Sequence, residues 1–491
     1  MNTSMIRFIL GSILKLEAAL MLLPCIVAVI YHESCLLSFV ITIALSLAAG
    51  FLLTFKKPSN NLFYLKEGCV ATALSWVVLS IFGCLPFVFS GEIPSFTDAL
   101  FETISGFTTT GSSILNDVEA LSYSMLFWRS FTHWVGGMGV LVFLLAIVPM
   151  SGGSHFNLMR AESPGPSVGK LVPKLASTAR ILYVIYFGLT LLEIILLVFA
   201  GMPWFDAITT SFGTAGTGGF GIKGDSIAGY SVLIQWIVTI FMLLFGVNFN
   251  AYYLLLFGSV KQALKCEEVR CYFIIVFASV AMITINILHY VGNGFTALTQ
   301  AAFQVASIIT TTGFATADFD LWPEFSKMLL VLLMFCGACA GSTGGGIKVS
   351  RCVIAAKNVK RELHTYAHPK SVKRIYFEDK PVDRDILHSI NVYFLTFLLL
   401  FCGSVLLVSL DGKSFTTTIT AVAATINNIG PGLDLVGPTA NFSHFSIFSK
   451  YVLMFDMLAG RLELFPMLML FYPAIWKDAI LGRRQQNRKD R

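Results

Sequence analysis

Ten stretches of this sequence are long and apolar enough to act as membrane spans: 8–30, 36–55, 68–90, 121–149, 178–200, 231–258, 270–290, 326–356, 386–410 and 444–475. A helix crosses the hydrocarbon core in roughly 20 apolar residues. In lipid the backbone must satisfy its own hydrogen bonds, so the expected fold is all-α and polytopic. Composition agrees: 56% of the residues are hydrophobic and 13% charged, about half the charged share of a soluble domain. The first stretch lacks a small-residue cleavage site and runs directly into the second, so it reads as a retained helix rather than a signal peptide. Most of the ten cysteines lie inside apolar runs, and Cys336 and Cys339 read as small packing residues there, not as a redox pair.

The distribution of charge sets the expected orientation. With the N-terminus inside, the inner segments 56–67, 151–180, 259–270, 347–385 and 477–491, together with the N-terminal end, hold 27 of the 34 lysines and arginines. Arg129, Lys223, Lys327, Lys413 and Lys450 fall outside, and Lys15 and Arg461 within spans. By the positive-inside rule both termini are cytoplasmic. This asymmetry also explains the net charge of +6 without a nucleic-acid partner. The basic loop at 357–384, with Lys357, Lys360, Arg361, Lys370, Lys373 and Arg374, reads either as a solvated loop near anionic lipid or as a docking surface for a regulatory subunit.

Between span pairs lie four shorter semi-apolar stretches, 95–112, 203–220, 296–314 and 415–431, and they form a repeat. Their ends align as Thr108-Thr109-Thr110-Gly111, Gly216-Thr217-Gly218-Gly219, Thr310-Thr311-Thr312-Gly313 and Asn427-Asn428-Ile429-Gly430. Thirteen residues before the aligned glycines stand Asp98, Asp206, Gln300 and Thr417, and the glycines are 108, 94 and 117 residues apart. Each stretch is expected to enter from the outside as a short helix. Asp98 and Asp206 suit the positive end of its macrodipole, and the opposite end favours a cation. The chain then returns in extended form, which is tolerable at membrane depth only where it lines a watery cavity or is packed in protein. Four such segments around one axis offer rings of carbonyl oxygens that can replace an ion's hydration shell, with glycine permitting the required backbone angles.

Two further features stand out. The span at 326–356 is interrupted by Gly341-Ser342-Thr343-Gly344-Gly345-Gly346, and three successive glycines break a helix. A phosphate-binding loop is ruled out, because Ile347 precedes Lys348 and neither Ser nor Thr follows that lysine directly. A passive kink and a flexible barrier both remain open from the residues alone. Arg461 lies in the last span, where an arginine at the bilayer centre costs about 2.5–3.5 kcal/mol on insertion scales. Glu463, two positions on, does not share its helical face. A salt bridge to another helix and a pore-facing position are both open. His133, Trp134 and Gly136-Gly137-Met138-Gly139 read as close packing around the four loops.

The segments FETISGFTTTGSS at 101–113, FGTAGTGGFG at 212–221, TTTGFATADF at 310–319, AGSTGGGIK at 340–348 and NNIGPGL at 427–433 resemble the Trk/Ktr/HKT superfamily of K⁺ transporters, and within it the TrkH/TrkG branch of bacterial uptake proteins. The resemblance covers nearly the whole chain. It implies K⁺ uptake across the bacterial cytoplasmic membrane through a filter made by Thr108–Gly111, Gly216–Gly219, Thr310–Gly313 and Asn427–Gly430, with K⁺ bound there and no other cofactor. It implies an intramembrane gate at 341–346 with Lys348, and a pore-facing Arg461 beside it. Plant relatives with serine at the first filter glycine tend to pass Na⁺; Gly111 favours K⁺. Gly218, Ile429 and Pro431 break fourfold symmetry in the side chains. The resemblance further implies a homodimer and a cytosolic TrkA-like nucleotide-binding subunit.

The expected organisation is two leading helices at 1–60, then four repeats at 61–160, 161–262, 263–375 and 376–491. No HExxH or P-loop suggests an enzyme. The alternatives are a symporter coupling K⁺ to H⁺ or Na⁺, a membrane-embedded enzyme, and a non-conducting subunit.

Overall fold

In the computed structural model, residues 1–58, 64–139, 175–258, 260–371 and 373–477 are described. Among the described residues, six helices are long and apolar enough to cross a membrane: Thr3–Ile30, Leu36–Thr54, Leu65–Ser90, Ile181–Phe199, Glu267–Val291 and Arg384–Asp411. They match six of the ten expected spans. Many carry exposed large apolar side chains, such as Leu52, Ile274, Phe277 and Leu406. Those side chains suit lipid, not water.

The other four expected spans are not single straight helices. The stretch at 231–258 is a pair, Val232–Phe245 and Phe249–Leu256, bent by 92°. Asn248 causes the restart, its side chain accepting the N–H of Asn250 as an N-cap. The stretch at 121–149 shows a helix at Tyr123–Gly137, and its part at 140–149 lies outside the described residues, as do most of the basic segment at 151–180 and the tail beyond 477. The stretch at 326–356 divides into Glu324–Cys336 and Val349–Ala367 around the glycine loop. The stretch at 444–475 also breaks, into Ile447–Arg461 and Phe465–Leu470. There Glu463 and Leu464 have φ of 54° and 72°. Pro466 at the start of the second piece fixes the new helix and cannot continue the old one.

The four shorter stretches are helices of 12, 13, 16 and 12 residues: Phe96–Phe107, Trp204–Gly216, Gly294–Ile309 and Phe415–Ile426. Each is too short to span. Ser95, Asn293 and Ser414 cap three of them, and Asp98 and Asp206 sit in the first turns of the first and second. These helices are buried among the longer ones. The largest apolar cluster joins Trp76, Phe101, Phe107 and Trp128 near the first to Val422, Leu453 and Met457 near the fourth. Within the basic loop, Tyr376–Phe377 pairs antiparallel with Lys380–Pro381. Glu378 and Asp379, at φ 52° and 58°, make its two-residue turn, as hairpin twist requires.

Candidate functional site

The ends of the four short helices share one backbone conformation. Thr109, Thr217, Thr311 and Asn428 have φ between 54° and 58° although none is glycine. The glycine two positions on is also positive in each: 83° at Gly111, 73° at Gly219, 87° at Gly313 and 99° at Gly430. The preceding helix is closed in the same way each time. The N–H groups of Thr110, Gly218, Thr312 and Ile429 reach back five residues to Ser105, Gly213, Ser307 and Ala424, at 2.8–2.9 Å. This 6→1 bond is the Schellman closure, which satisfies carbonyls that a helix end leaves orphaned. The motif was legible as a glycine repeat; the left-handed threonines and asparagine were not.

The glycines then join the four loops into a ring. A Cβ built on Gly111 would lie 2.1 Å from the Gly218 carbonyl oxygen; on Gly219, 2.0 Å from that of Thr312; on Gly313, 2.0 Å from that of Ile429. On Gly430 it would lie 2.8 Å from the Thr110 carbonyl oxygen, which closes the circle. Each glycine therefore meets the carbonyl just before the next repeat's glycine, in sequence order. Side chains differ while the backbone repeats. Thr108 and Thr110 share a hydroxyl contact of 2.7 Å, and Thr310 and Thr312 one of 2.8 Å. In the fourth repeat, Asn428 Nδ2 instead donates to Thr110 Oγ1 at 2.9 Å and to the Met457 carbonyl at 2.8 Å, while Asn427 Nδ2 bonds back to Ala423. Among the described residues no group of three or more His, Cys, Asp and Glu is arranged to hold a metal ion.

The small residues of the span at 121–149 pack against these loops. A Cβ on Gly136 would lie 1.9 Å from the Phe107 carbonyl, and one on Gly137 would lie 2.6 Å from Gly216 Cα. His133 lies against Gly216 and Gly218 and stacks on Phe220 at 4.2 Å.

The loop at 341–346 lies directly against the first residues of the third and fourth segments. Gly345 N–H donates to Thr311 Oγ1 at 2.6 Å. A Cβ on Gly345 would lie 2.5 Å from the Asn427 carbonyl, and one on Gly344 would lie 2.9 Å from that of Thr310. Thr343 Oγ1 reaches the Phe245 carbonyl at 3.3 Å, Ser342 Oγ bonds Cys339, and the Gly341 carbonyl accepts from Phe249. Gly346 has a φ of 74° and packs on Gly337. Lys348 is buried and its ammonium donates to the Gly344 carbonyl. Arg461 donates to the Thr343 carbonyl at 2.8 Å, to Thr109 Oγ1 at 3.3 Å, and to the carbonyls of Gly136 and Gly137. Glu463 pairs with Arg351. A cavity of about 100 Å³ lies between this loop and Trp76, Gly137, Gly460 and Arg461.

Several contributors were missed in the sequence. Glu268 accepts the N–H groups of Ala340 at 2.7 Å and Ser350 at 3.1 Å, so one buried carboxylate clasps both flanks of the glycine loop. Its own N–H donates to Glu378 of the hairpin at 3.1 Å. Asp434 accepts from the hydroxyls of Ser414 and Thr417 at the start of the fourth short helix, supplying the carboxylate that this repeat lacks at the aligned position. Those hydroxyls hold its carboxyl below the ordinary aspartate value. Glu102 and Arg129 pair at 2.6 Å; Arg129, assigned to the outer face by sequence, is buried in its helix. Buried charges in so apolar a chain were the available signal, but their partners are distant in sequence.

The comparisons point one way. The family model described as "Cation transport protein", TrkH, matches residues 36–479. The Trk system potassium uptake protein TrkH of Salmonella typhimurium is 38% identical over 487 residues, covering 97% of this chain and 100% of the relative. The Escherichia coli K12 protein named TrkG is 32% identical over 491 residues. The crystal structure of the potassium transporter TrkH from Vibrio parahaemolyticus superposes with a TM-score of 0.87 at 33% identity, covering 97% of this chain and all of that one. With a shared fold and near-complete coverage, this chain is a multi-pass helical membrane protein belonging to the TrkH family of cation transport proteins.

Proposed function

We propose that this chain takes up K⁺ across a bacterial cytoplasmic membrane, by conduction through a filter formed by residues 108–111, 216–219, 310–313 and 427–430. The observation that carries this reading is the closed ring in which each loop's glycine meets the carbonyl of the next loop. Relatives named as potassium uptake proteins support the choice of ion. The loop at 341–346 with Lys348 acts as the barrier beneath the filter, and Arg461 adds a positive charge that delays cations. Its bonds to Thr343 and Thr109 support that role. The membrane potential supplies about 2.3 kcal/mol per charge per 100 mV. At 1.4 kcal/mol per tenfold, that sustains roughly 40-fold accumulation without covalent chemistry.

On this reading the four repeats follow the boundaries 61–160, 161–262, 263–375 and 376–491, and both termini are cytoplasmic. The chain forms a homodimer and meets a cytosolic nucleotide-binding subunit. The relatives' description as parts of a Trk system supports a multicomponent assembly. The basic cytoplasmic loop and its hairpin, joined to the glycine loop through Glu378 and Glu268, offer a route for control.

The second reading is symport of K⁺ with H⁺ or Na⁺. It draws on Glu17, buried behind the first short helix, neither of whose carboxylate oxygens has a hydrogen-bond partner among the described residues. Cation flux into liposomes holding the purified chain, under an imposed potential, tests both. Flux favouring K⁺ and reversing at the K⁺ equilibrium potential supports conduction. Reversal that moves with pH or the Na⁺ gradient supports coupling, and no flux with or without the cytosolic subunit removes both.

A further inference from the structure

We infer that the buried Glu102–Arg129 pair sets ion discrimination, as positioning residues that fix the return limbs of the first two filter loops. This rests on the conduction pathway proposed above. Neither residue is an ion ligand. Glu102 lies on the first short helix and is 1% exposed; Arg129 lies on the following helix and is 3% exposed.

Their bonds fall on two different repeats. Arg129 Nε donates to Glu102 Oε1 at 2.6 Å, and its Nη1 donates to the Gly221 carbonyl at 2.7 Å, two residues past Gly219. Its guanidinium lies over the Phe220 ring, 3.6 Å from the centroid. Glu102 accepts the Ile114 N–H at 3.0 Å and the Ser113 hydroxyl at 3.0 and 3.1 Å, two and three residues past Gly111. A single ion pair thus grips the chain immediately beyond Gly111 and Gly219. Those same two loops make one side of the ring, where Gly111 abuts the Gly218 carbonyl.

The other limbs are held chiefly by neutral groups, from their own repeat and from a neighbouring one, where the Ala315 N–H donates to Ser226 Oγ at 3.2 Å and Ser112 Oγ donates to the Gly430 carbonyl at 3.1 Å. Ser307 Oγ donates to the Phe314 carbonyl at 2.6 Å in the third, and Thr420 Oγ1 accepts the Leu433 N–H at 3.0 Å in the fourth. At the junction of the first and second repeats a charged pair reaches from one return limb to the next. Charge-assisted bonds are shorter and stronger than neutral ones, and a planar guanidinium can serve the carboxylate and a carbonyl at once. Because the pair is neutral overall, it stiffens the ring without adding net charge near a passing cation. Discrimination between cations depends on the carbonyl ring keeping its size and field, so loosening this side should admit the smaller Na⁺.

The test uses the full chain in liposomes and reads the K⁺/Na⁺ permeability ratio from reversal potentials. Arg129→Lys keeps the charge but cannot hold Glu102 and Gly221 together in one plane. The ratio is expected to fall about tenfold, the size of one charge-assisted hydrogen bond, while K⁺ flux per folded protein falls less. Ser113→Ala removes one neutral hydroxyl from the limb and should lower the ratio by a smaller factor. It decides the matter if Arg129→Lys does not fold. A wild-type ratio in folded Arg129→Lys, or in Ser113→Ala when only that variant folds, overturns the inference. So does a loss of flux and thermal stability with the ratio unmoved, which marks a purely structural pair. A wild-type protein that does not prefer K⁺ instead removes the underlying conduction reading, and the inference with it.

Discussion

Arg461 donates a hydrogen bond to the carbonyl of Thr343 at 2.8 Å, tying the last long helix to the middle of the glycine loop. If that bond and charge form the barrier, Arg461→Ala should raise K⁺ flux about tenfold. That is a change of 1.4 kcal/mol, modest beside the roughly 4 kcal/mol between unit charges 4 Å apart at an effective dielectric of 20. Liposome flux normalised to folded protein measures it. Lower flux in well-folded Arg461→Ala means that the arginine does not act as a barrier.

The ring contacts predict a graded set of glycine substitutions. An alanine Cβ at Gly111, Gly219 or Gly313 would meet a backbone carbonyl at 2.0–2.1 Å, against 2.8 Å at Gly430. All four also need positive φ, which costs an L-residue about 1–2 kcal/mol. Alanine at the first three should abolish selective K⁺ flux, and Gly430→Ala should retain part of it. Equal damage at all four positions in ion-flux assays would show that backbone angle, not the ring contact, is what matters.

Glu268 is expected to hold the glycine loop closed. Glu268→Ala leaves the N–H groups of Ala340 and Ser350 without their acceptor, each worth about 1–3 kcal/mol when buried. Hydrogen exchange across 340–350 should accelerate, and flux without the cytosolic subunit should rise several-fold. Glu378→Ala, which acts one bond further out, should do the same more weakly. Unchanged exchange in both variants would count against the clasp.

Acid should loosen the outer entry of the fourth repeat. The carboxyl of Asp434 sits below its ordinary value of 3.8 because Ser414 and Thr417 donate to it. A lowered folded value means that the carboxylate contributes stability above about pH 4, and that this is lost as pH falls through the folded value. Asp434 is exposed, so the contribution is small. Exchange protection at 414–417 should fall as pH drops below about 4 in the wild type and stay flat in Asp434→Asn, which carries no titrating carboxyl.

The parts of this molecule that follow from local pattern were legible in its sequence. Spans read as apolar runs, and the four loops as a repeated glycine. Asp98 and Asp206 announced helix N-termini, and Gly344–Gly346 a break. What could not be read depends on contacts between distant segments. The break at Glu463 and Leu464 has no glycine, and its cause lies in Pro466 and the pairing of Glu463 with Arg351. Thr109, Thr217, Thr311 and Asn428 adopt left-handed angles that propensity disfavours, because the helix closure before them and the ring after them leave no other course. Glu268 looked like one more charge at a helix start, until the fold brought the glycine loop to it.

The four walls of the ring come from one chain rather than from four copies. In an assembly of identical subunits, every substitution at such a site arrives four times at once, and most are too damaging to keep. Here a change enters one quadrant alone. Asn427, Asn428 and Ile429 occupy theirs with the same backbone shape as the threonine loops, a divergence that a symmetric tetramer could not sample one step at a time. A ring made from one chain thus leaves each quarter to vary on its own, within limits set by its two neighbours.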